Sequence, residues 1–357
     1  MKKAILYEKL SPVEFAERGF NRVKDNKVRC QACHNQCLIN DKKIGICGVR
    51  QNIDGDLYLL VYGKAISVNI DPIEKKPLFH FLPGQMAFSL GTLGCNFACD
   101  FCQNWEISQK IKNQKSKIKI KDNIYYGEEW GPEKIVKYCK ENKIPIIAYT
   151  YNEPTIWAEY ALDTMKLAKK EGIKNVWVSN GFMSEKTLNL IGPTLDGINI
   201  DLKSFKNDFY RKICKARIEP VKENIKKIWE MRIWIEVTTL IIPGFNDSEK
   251  ELEQIAEFLA NISPDLPWHI SAFYPAYKML DTLPTSQKNL VKAYNIGKKA
   301  GLKYVYTGNI PDVDYESTFC PKCNKKIIER MGVECLKNYL KKGKCPECGQ
   351  KITGRWK

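Results

Sequence analysis

Short apolar runs alternate with longer amphipathic segments between about residue 87 and residue 310. The apolar runs are rich in β-branched and aromatic residues, and the segments between them repeat apolar positions every three or four residues, as helices do. We predict strands at 87–93, 146–151, 175–179, 197–202, 233–241, 268–273 and 303–308, and helices at 154–172, 184–192, 219–231, 248–262 and 285–301. This alternation is typical of βαβ units around a parallel sheet, so the predicted class is α/β.

The order of the strands within the sheet is not determined by this pattern. Six or seven strands fit an incomplete (β/α) barrel better than a closed eight-stranded one. A doubly wound open sheet remains the alternative, because it is built from the same alternation with a different strand order.

Composition narrows the class of protein without identifying a function. The 357 residues are 44% hydrophobic and can bury a sizeable core, while the formal charge of +16 suits acidic partners, nucleic acid or anionic substrates. The apolar runs are shorter than the roughly 18 residues of a membrane span, and Glu8 and Glu14 interrupt the first fifteen residues, so we predict no membrane segment and no secretory signal. A cytoplasmic protein is expected.

Fourteen cysteines in a reducing compartment indicate metal binding more than disulfides. Eleven of them form three groups, whereas Cys139, Cys214 and Cys335 stand alone and are interpreted as packing residues. The central group follows the strand at 87–93 directly, at the edge where parallel α/β sheets bind ligands. It consists of Cys95, Cys99 and Cys102.

Three thiolates can hold three irons of a [4Fe–4S] cluster, and no fourth cysteine follows nearby to ligate the remaining iron. An open iron can accept a substrate or a cofactor, as the open position of a catalytic zinc does. The alternatives are a zinc site and an electron-transfer cluster completed by a distant cysteine.

The C-x3-C-x2-C spacing, with Phe101 before the last cysteine, resembles the motif of radical S-adenosylmethionine (SAM) enzymes. The resemblance implies an incomplete (β/α)6-type TIM-like radical SAM barrel. It also implies that SAM chelates the fourth iron through its amino and carboxylate groups, and that one electron from the cluster cleaves SAM to a 5′-deoxyadenosyl radical.

Further resemblances fall at successive strand ends. Asn152 and Glu153 lie where the family has a Gly-Gly-Glu-Pro segment that binds the SAM ammonium, although Tyr151 and Asn152 replace the two glycines. Ser179-Asn180-Gly181 resembles the ribose-binding segment, and Asp201-Leu202-Lys203 resembles an Asp-x-Lys element whose lysine meets the SAM carboxylate. The cofactor-binding residues implied by the resemblance are Phe101, Asn152, Glu153, Ser179, Asn180, Asp201 and Lys203.

Each of these assignments has a structural alternative. Glu153 could be a helix N-terminal acid, Asn180 could belong to an ordinary turn, and Asp201 and Lys203 could form a surface ion pair.

The motifs at 71–84, 94–108 and 149–154 resemble a narrower branch, the pyruvate formate-lyase-activating-enzyme-like family called the AmmeMemoRadiSam system radical SAM enzyme. The likeness extends over nearly the whole chain. It implies an oxidoreductase that abstracts hydrogen from a polypeptide or a small molecule and takes electrons from a reductant such as ferredoxin or flavodoxin.

The two terminal cysteine groups predict further metal sites. Four thiols in a C-x2-C-x3-C-x9-C pattern suit a second, fully ligated Fe–S cluster or a structural zinc. The pair of C-x2-C knuckles near the C-terminus is typical of a zinc ribbon or a rubredoxin-like site, and zinc is preferred. The first group is Cys30, Cys33, Cys37 and Cys47, and the second is Cys320, Cys323, Cys345 and Cys348.

These groups suggest three parts of the chain. We predict an N-terminal cysteine-rich module with a lead-in at 1–84, a radical SAM partial barrel at 85–312, and a zinc-ribbon module at 313–357. Six lysines at 110–121 are interpreted as a solvated loop. Two other functions stay open at this point: an Fe–S electron carrier without SAM chemistry, and a zinc-containing protein that binds nucleic acid.

Overall fold

The structure is a computed structural model that describes residues 1–10, 26–109, 126–310 and 312–357. An eight-stranded sheet forms its centre. Its strands are β1 (Ser67–Pro72), β2 (Met86–Gly91), β3 (Ile146–Tyr149), β4 (Lys174–Ser179), β5 (Gly197–Asp201), β6 (Trp234–Ile241), β7 (Trp268–Ala272) and β8 (Val305–Gly308). They lie side by side in chain order, with β2 to β8 parallel and β1 antiparallel to β2.

All seven predicted strands are present in this sheet. Their sequential order shows that the doubly wound alternative is wrong, because that fold reverses its strand order partway across the sheet. The sheet is open and mostly parallel, and β1 and β8 are its edges within the described residues. The sequence did not reveal β1, because this edge strand exposes Asn69 and Ile70 and lacks a continuous apolar run.

Helices connect the parallel strands. They are α1 (Pro132–Glu141), α2 (Ala158–Lys170), α3 (Glu185–Ile191), α4 (Glu219–Glu230), α5 (Glu249–Ile262) and α6 (Gln287–Lys299). The five predicted helices are present, and α1 was missed. Side-chain caps set two of the boundaries, since the Ser184 and Ser286 hydroxyls accept hydrogen bonds from the amides of Thr187 and Asn289.

Shorter elements complete the description. Small strands outside the main sheet are Lys2–Lys3, Tyr7–Lys9, Val28–Cys30, Leu38–Ile39, Arg50–Ile53, Asp56–Leu59, Lys64–Ala65, Glu128–Glu129, Thr318–Phe319, Lys326–Met331 and Glu334–Asn338. Short helical turns are Ile73–Lys75, Trp105–Ser108, Pro154–Trp157, Gly192–Thr194, Asn207–Phe209, Tyr210–Cys214 and Val313–Glu316.

The two faces of the sheet are covered by different parts of the chain. The large core on one face includes the fully buried side chains of Tyr149 and Trp177 together with residues of the helices. Each such side chain contributes about 1.5–3 kcal/mol by leaving water. On the other face, Leu78 and Phe81 pack against Ala148 and the strands beside it. The segment between β1 and β2, residues 73–85, therefore fills the space that the helices leave uncovered. We call this segment the lead-in.

A buried carboxylate fixes this segment in place. Glu236 of β6 is completely buried and accepts hydrogen bonds from the backbone amides of Phe79 and His80 at 3.0 and 2.7 Å. It also accepts one from the Trp234 indole at 2.9 Å and lies 2.6 Å from the His269 ring. Burial alone would raise the pKa of Glu236, but these partners hold it below its ordinary value. Glu236 is therefore ionised and joins β6 and β7 to the lead-in.

Arg330, in the C-terminal strand Lys326–Met331, binds two residues of the lead-in. Arg330, which is completely buried, donates to the Phe79 carbonyl at 2.6 Å and places its guanidinium 4.4 Å from the Phe79 ring centre. Its Nε lies 3.4 Å from the buried carboxylate of Glu74. A charged arginine paired within the protein is an effective tether, because removing either partner leaves the other buried charge uncompensated.

None of the described helices is long and apolar enough to cross a bilayer. The lysine-rich segment at 110–121 lies outside the described residues.

The buried imidazole of His80 generates a prediction about pH. Its two nitrogens lie 2.7 Å from the Thr353 carbonyl and 2.6 Å from the Tyr306 hydroxyl, and burial lowers its pKa to about 4. Because the folded state resists protonation, this stability is present above the ordinary pKa of 6.5 and is lost as the pH falls towards 4. The full loss amounts to about 3 kcal/mol.

His80→Gln should therefore reduce the fall in the free energy of unfolding between pH 7.5 and pH 5, measured by urea denaturation. The matched control is His34→Gln, at an imidazole that is only half-buried. A pH dependence identical in the wild type and His80→Gln would contradict this account.

Candidate functional site

The loop after β2 carries the central cysteines at the carboxyl edge of the sheet. Cys99 is buried, and Cys95 and Cys102 are partly buried. The Gly94 amide donates to the Ile107 carbonyl at 2.8 Å, and the amides of Ala98 and Asp100 donate to the carbonyls of Cys214 and Ile213 at 3.0 Å. The backbone thus holds the three thiols on one short loop.

The isolated Cys214 lies beside this loop. It is completely buried, and a hydrogen bond between its thiol and the Cys99 thiol, together with burial, raises the pKa of Cys99. Its buried position is what the sequence interpretation expected of a packing residue, but its contact with a proposed cluster ligand could not be read from the spacing of the cysteines.

Asn152 fastens the cysteine loop to the neighbouring strand end. Its amide nitrogen donates to the Gly94 carbonyl at 2.8 Å and the Thr92 hydroxyl at 3.0 Å. Its oxygen accepts from the Thr92 amide and the Trp157 indole, both at 3.2 Å. These contacts make Asn152 a positioning residue for the loop, a role that the resemblance to a glycine-containing segment did not suggest.

Glu153 is buried at the start of the turn that precedes α2, with only 2% of its surface exposed. One carboxylate oxygen accepts from the Thr155 amide at 3.0 Å and the Ser179 hydroxyl at 2.9 Å, and the other accepts from the Asn180 amide at 2.7 Å. Burial raises the pKa of Glu153 although these neutral donors oppose the shift. A buried carboxylate held by neutral donors suits a cationic ligand, whose charge would favour the ionised form.

The β4 end is joined to both neighbouring elements. The backbone amide of Asn180 donates a hydrogen bond to Glu153. Its side-chain amide donates to the side-chain oxygen of Asn96 at 2.8 Å, and Asn96 follows Cys95 in the sequence. Gly181 has a φ of +71°, and a Cβ atom there would lie 2.8 Å from the Ile200 side chain. The glycine therefore permits both the left-handed backbone and the close packing of β4 on β5.

Asp201 and Lys203 form an ion pair of 2.9 Å at the end of β5. Burial lowers the pKa of Lys203, but Asp201 and the thiols of Cys99 and Cys214 have the larger combined effect and raise it well above its ordinary value. The ammonium also lies 5.6 Å from the ring centre of Phe101. A permanently charged lysine is thus placed beside the cysteine loop, where it can neutralise a carboxylate.

Tyr151 supplies backbone strain at the same corner. Its φ is +68°, a conformation that costs a bulky L-residue about 1–2 kcal/mol. Its hydroxyl donates to Asp71 at 2.7 Å and its carbonyl accepts from Asn104 at 2.8 Å, so β1 and the residues after Cys102 hold it in place. The strained residue occupies one of the positions where the related segment has glycine.

The two terminal cysteine groups differ in geometry. At the C-terminal group, Cys320 and Cys348 have sulfurs 3.6 Å apart, and Cys323 and Cys345 have sulfurs 3.7 Å apart. Among the residues that the structure describes, only these four form a group of three or more metal-ligating side chains with donor atoms all within 4.8 Å. The N-terminal cysteines instead line a shared cavity.

The structure thus brings the predicted cofactor residues together along the carboxyl edges of β2, β3, β4 and β5. Sequence reasoning missed Asn96 and Thr155, which bond to the Asn180 side chain and the Glu153 carboxylate. The only signal for either residue was its position next to a predicted site residue.

Comparison with known proteins identifies the family. The sequence profile described as the radical SAM superfamily matches residues 90–259. An uncharacterised protein of Methanocaldococcus jannaschii is 41% identical over 355 residues, which cover 99% of each chain. A second protein of that organism, provisionally named a glycyl-radical enzyme activating enzyme, is 27% identical over 61% of this chain and 77% of its own length.

A more distant relative is the pyruvate formate-lyase 1-activating enzyme of Escherichia coli, which is 20% identical over 43% of this chain and 68% of its own. Among solved structures, Streptococcus suis SuiB bound to S-adenosylmethionine has 10% identity and a TM-score of 0.49, over 66% of this chain and 53% of that chain. Residues 90–259 therefore form a radical SAM domain, the domain of an enzyme superfamily to which the relatives named as activating enzymes also belong.

The contacts of Asn152 generate a second prediction. Asn152→Ala leaves the buried Thr92 amide and Gly94 carbonyl without these partners, so the free energy of unfolding should fall by about 1–3 kcal/mol. The control is Asn142→Ala, an exposed residue whose side chain bonds locally to Tyr138, with an expected change within about 0.5 kcal/mol. Equal effects of the two substitutions would refute the anchoring role.

Proposed function

We propose that this chain is an activating-enzyme-like radical SAM enzyme with its reaction centre at Cys95, Cys99 and Cys102. These thiolates would bind three irons of a [4Fe–4S] cluster. When bound, the cluster and SAM would supply reductive cleavage of SAM to a 5′-deoxyadenosyl radical, which abstracts hydrogen from a polypeptide or small-molecule substrate. The observation that carries the proposal is the buried Glu153 carboxylate one strand end away from the cysteine loop, which is held by neutral donors, so that a cationic ligand would offset its charge.

The protein side chains would bind opposite ends of the amino-acid part of SAM. Glu153 would pair with the ammonium, and its orientation is fixed by Thr155, Ser179 and Asn180 before the ligand arrives. Lys203 would pair with the carboxylate, since its ammonium lies beside the cysteine loop and its pKa is raised well above the ordinary value. Side chains that are already oriented lose little conformational entropy on binding, so the free-energy cost of binding is smaller.

The remaining predicted residues would shape the rest of the cofactor site. Asn152 would hold the cysteine loop at the correct distance from Glu153. Ser179 and Asn180 would contact the ribose, and their side-chain oxygens can each accept a second hydrogen bond beyond those from Gly181 and Phe182. Phe101 would pack beside Lys203 and restrict access of water.

The C-terminal cysteines fit a zinc ion. Four ligands around one ion at about 2.3 Å have sulfurs about 3.8 Å apart in a tetrahedron. The observed separations of 3.6 and 3.7 Å match this arrangement. The ion would fold the knuckles at 313–357 into a stable module, while the N-terminal cysteines at 1–84 would form a second metal site and 85–312 would carry the reaction.

The names of two relatives support a proposal about partners. Two of them are named as activating enzymes for glycyl-radical enzymes or pyruvate formate-lyase, so a protein substrate is proposed for this chain. Reduction of the cluster would require a low-potential carrier such as ferredoxin or flavodoxin. The net charge of +16 favours docking of such acidic proteins.

The central prediction concerns product formation. Protein reconstituted anaerobically with iron and sulfide, then mixed with dithionite and SAM, should release 5′-deoxyadenosine, detected by liquid chromatography. The triple variant Cys95→Ala/Cys99→Ala/Cys102→Ala should release none, because it lacks the thiolates for the cluster. Cys335→Ala, at a cysteine outside the three groups, is the control and should retain the activity. A fully loaded wild type that forms no 5′-deoxyadenosine would refute the proposed function.

Glu153 generates a separate prediction about cofactor binding. Glu153→Gln removes the charge that would pair with the SAM ammonium, and a charge-assisted hydrogen bond is worth about 1.5–3 kcal/mol, or roughly 10- to 100-fold in Kd. Because burial raises the pKa of Glu153, wild-type affinity should fall as the pH decreases through that raised pKa, whereas the variant should lack this component. Calorimetric titration with SAM measures both effects. Equal affinities would remove Glu153 from the site.

A further inference from the structure

We propose that the four N-terminal cysteines hold a second iron–sulfur cluster, which passes electrons to the cluster at Cys95, Cys99 and Cys102. The electron-transfer role rests on the proposed function, whereas the second cluster itself does not. The cysteines concerned are Cys30, Cys33, Cys37 and Cys47.

The first argument is the shape of the site. All four cysteines line one cavity, whose wall also includes Arg50 and Asn96. No three of the four sulfurs lie within 4.8 Å of one another, in contrast to the C-terminal group. Four thiolates on a single ion would be about 3.8 Å apart, whereas thiolates on different irons of a cluster are farther apart. The wider separation of these thiols therefore favours a polynuclear cluster over one zinc ion.

The second argument is an unsatisfied donor in the cavity wall. Asn96 is 2% exposed, and its side-chain nitrogen has no hydrogen-bond partner among the described residues. A buried amide donor without a partner costs about 1–3 kcal/mol. Sulfur atoms of an iron–sulfur cluster accept hydrogen bonds from such donors, and these bonds help to set its reduction potential. A cluster in the cavity would give the Asn96 amide the acceptor that it lacks.

The third argument is the direct contact between the two cysteine loops. Gly94 has a φ of +87°, and a Cβ atom at this position would lie 2.3 Å from the carbonyl oxygen of Cys47. No side chain fits between these backbones. Asn35 of the N-terminal group also donates to the Asn96 carbonyl at 3.0 Å. The loop that begins at Gly94 and carries Cys95 thus packs on the loop that carries Cys47, which places the proposed clusters in adjacent sites.

A buried ion pair between Arg50 and Glu159 connects the cavity to the turn that follows Glu153. Arg50 lines the cavity and is 1% exposed, and its guanidinium binds both carboxylate oxygens of Glu159 on α2. It also donates to the carbonyl of Ile156, in the turn that follows Glu153. A positive charge near a cluster favours its reduced, more negative form. Glu159 compensates the charge of Arg50, so this effect on the cluster would be small. The pair chiefly fixes the cavity relative to Glu153.

The electron balance is simple. One low-potential carrier of the ferredoxin or flavodoxin class gives one electron to the N-terminal cluster, and this cluster gives one electron to the catalytic cluster. Each SAM that is cleaved consumes that electron, so the N-terminal cluster returns to its oxidised form after every transfer. It makes and breaks no bond itself.

The surface beside the N-terminal cysteines suits a carrier of this class. Leu38 and Ile46 are 55% and 49% exposed, next in sequence to Cys37 and Cys47. Lys42 and Lys43 between them are also exposed. Exposed apolar side chains and lysines in this stretch suit a brief encounter with an acidic protein, in which charge guides association and the contact area stays small.

The first experiment uses the full-length protein reconstituted anaerobically. Two cubane clusters should give about eight irons per chain, and paramagnetic resonance of the reduced protein should show magnetic coupling between two nearby clusters. About four irons together with a zinc ion bound at the N-terminal cysteines would overturn the proposal. These readouts do not depend on SAM cleavage.

The second experiment compares two reductants. Cys33→Ala/Cys47→Ala should lower the rate of 5′-deoxyadenosine formation about tenfold with reduced flavodoxin, and change it less than about twofold with dithionite, which is small enough to reach the catalytic cluster directly. Cys335→Ala should change neither rate. An unchanged flavodoxin-driven rate would overturn the relay and leave the proposed function standing, whereas a wild type inactive with both reductants would refute the proposed function.

A complementary variant keeps the proposal testable if Cys33→Ala/Cys47→Ala fails to fold. Cys95→Ala/Cys99→Ala/Cys102→Ala should retain about four irons, held by the N-terminal cysteines, and reduced flavodoxin should reduce them. Absence of this iron, or failure of flavodoxin to reduce it, would overturn the proposal.

The docking surface has its own control. Lys42→Glu/Lys43→Glu should slow the flavodoxin-driven reaction several-fold at low salt and leave the dithionite-driven reaction unchanged, because it repels only the protein donor. Lys250→Glu/Lys288→Glu makes the same change of net charge on exposed positions of α5 and α6. Equal slowing by both pairs would show that net charge, not this surface, guides the donor.

Discussion

The turn at the carboxyl end of β3 holds together the strand ends on which the candidate site depends. Asn152 bonds to the cysteine loop after β2, and the next residue, Glu153, bonds to the end of β4. Two consecutive side chains thus set the separation between the cysteines and the residues that would bind SAM. Both are buried, so any movement of one strand end would leave polar groups without partners. The positions of these strand ends are therefore maintained by the free-energy cost of breaking these hydrogen bonds.

The fold was predictable where local pattern and final environment agree. The seven parallel strands are buried on both faces and therefore appear in the sequence as short apolar runs. β1 lies at the edge with exposed residues, so its sequence lacks that signal. Strand order could not be predicted, because it depends on which strands pair, whereas periodicity reports only the environment of each one.

The sequence indicated which residues gather at the candidate site, but not the residues that support them. Cysteine spacing indicated Cys95, and the resemblance of two strand-end segments to known motifs indicated Glu153 and Lys203. Asn96 and Arg50 could not be found in this way, because each acts through residues distant in sequence: Asn96 contacts Asn180, and Arg50 binds Glu159. Contacts of this kind arise from the folded arrangement and leave no local motif.

The clamp formed by the C-terminal strands has a consequence for the rest of the molecule. Arg330 and the Thr353 carbonyl hold the lead-in at Phe79 and His80, the two residues whose amides satisfy Glu236 inside the sheet. A metal ion that orders the terminal knuckles would therefore also keep water from the interior carboxylate. Loss of the proposed ion would in this way weaken contacts around Glu236, a carboxylate that is not among the four cysteine ligands.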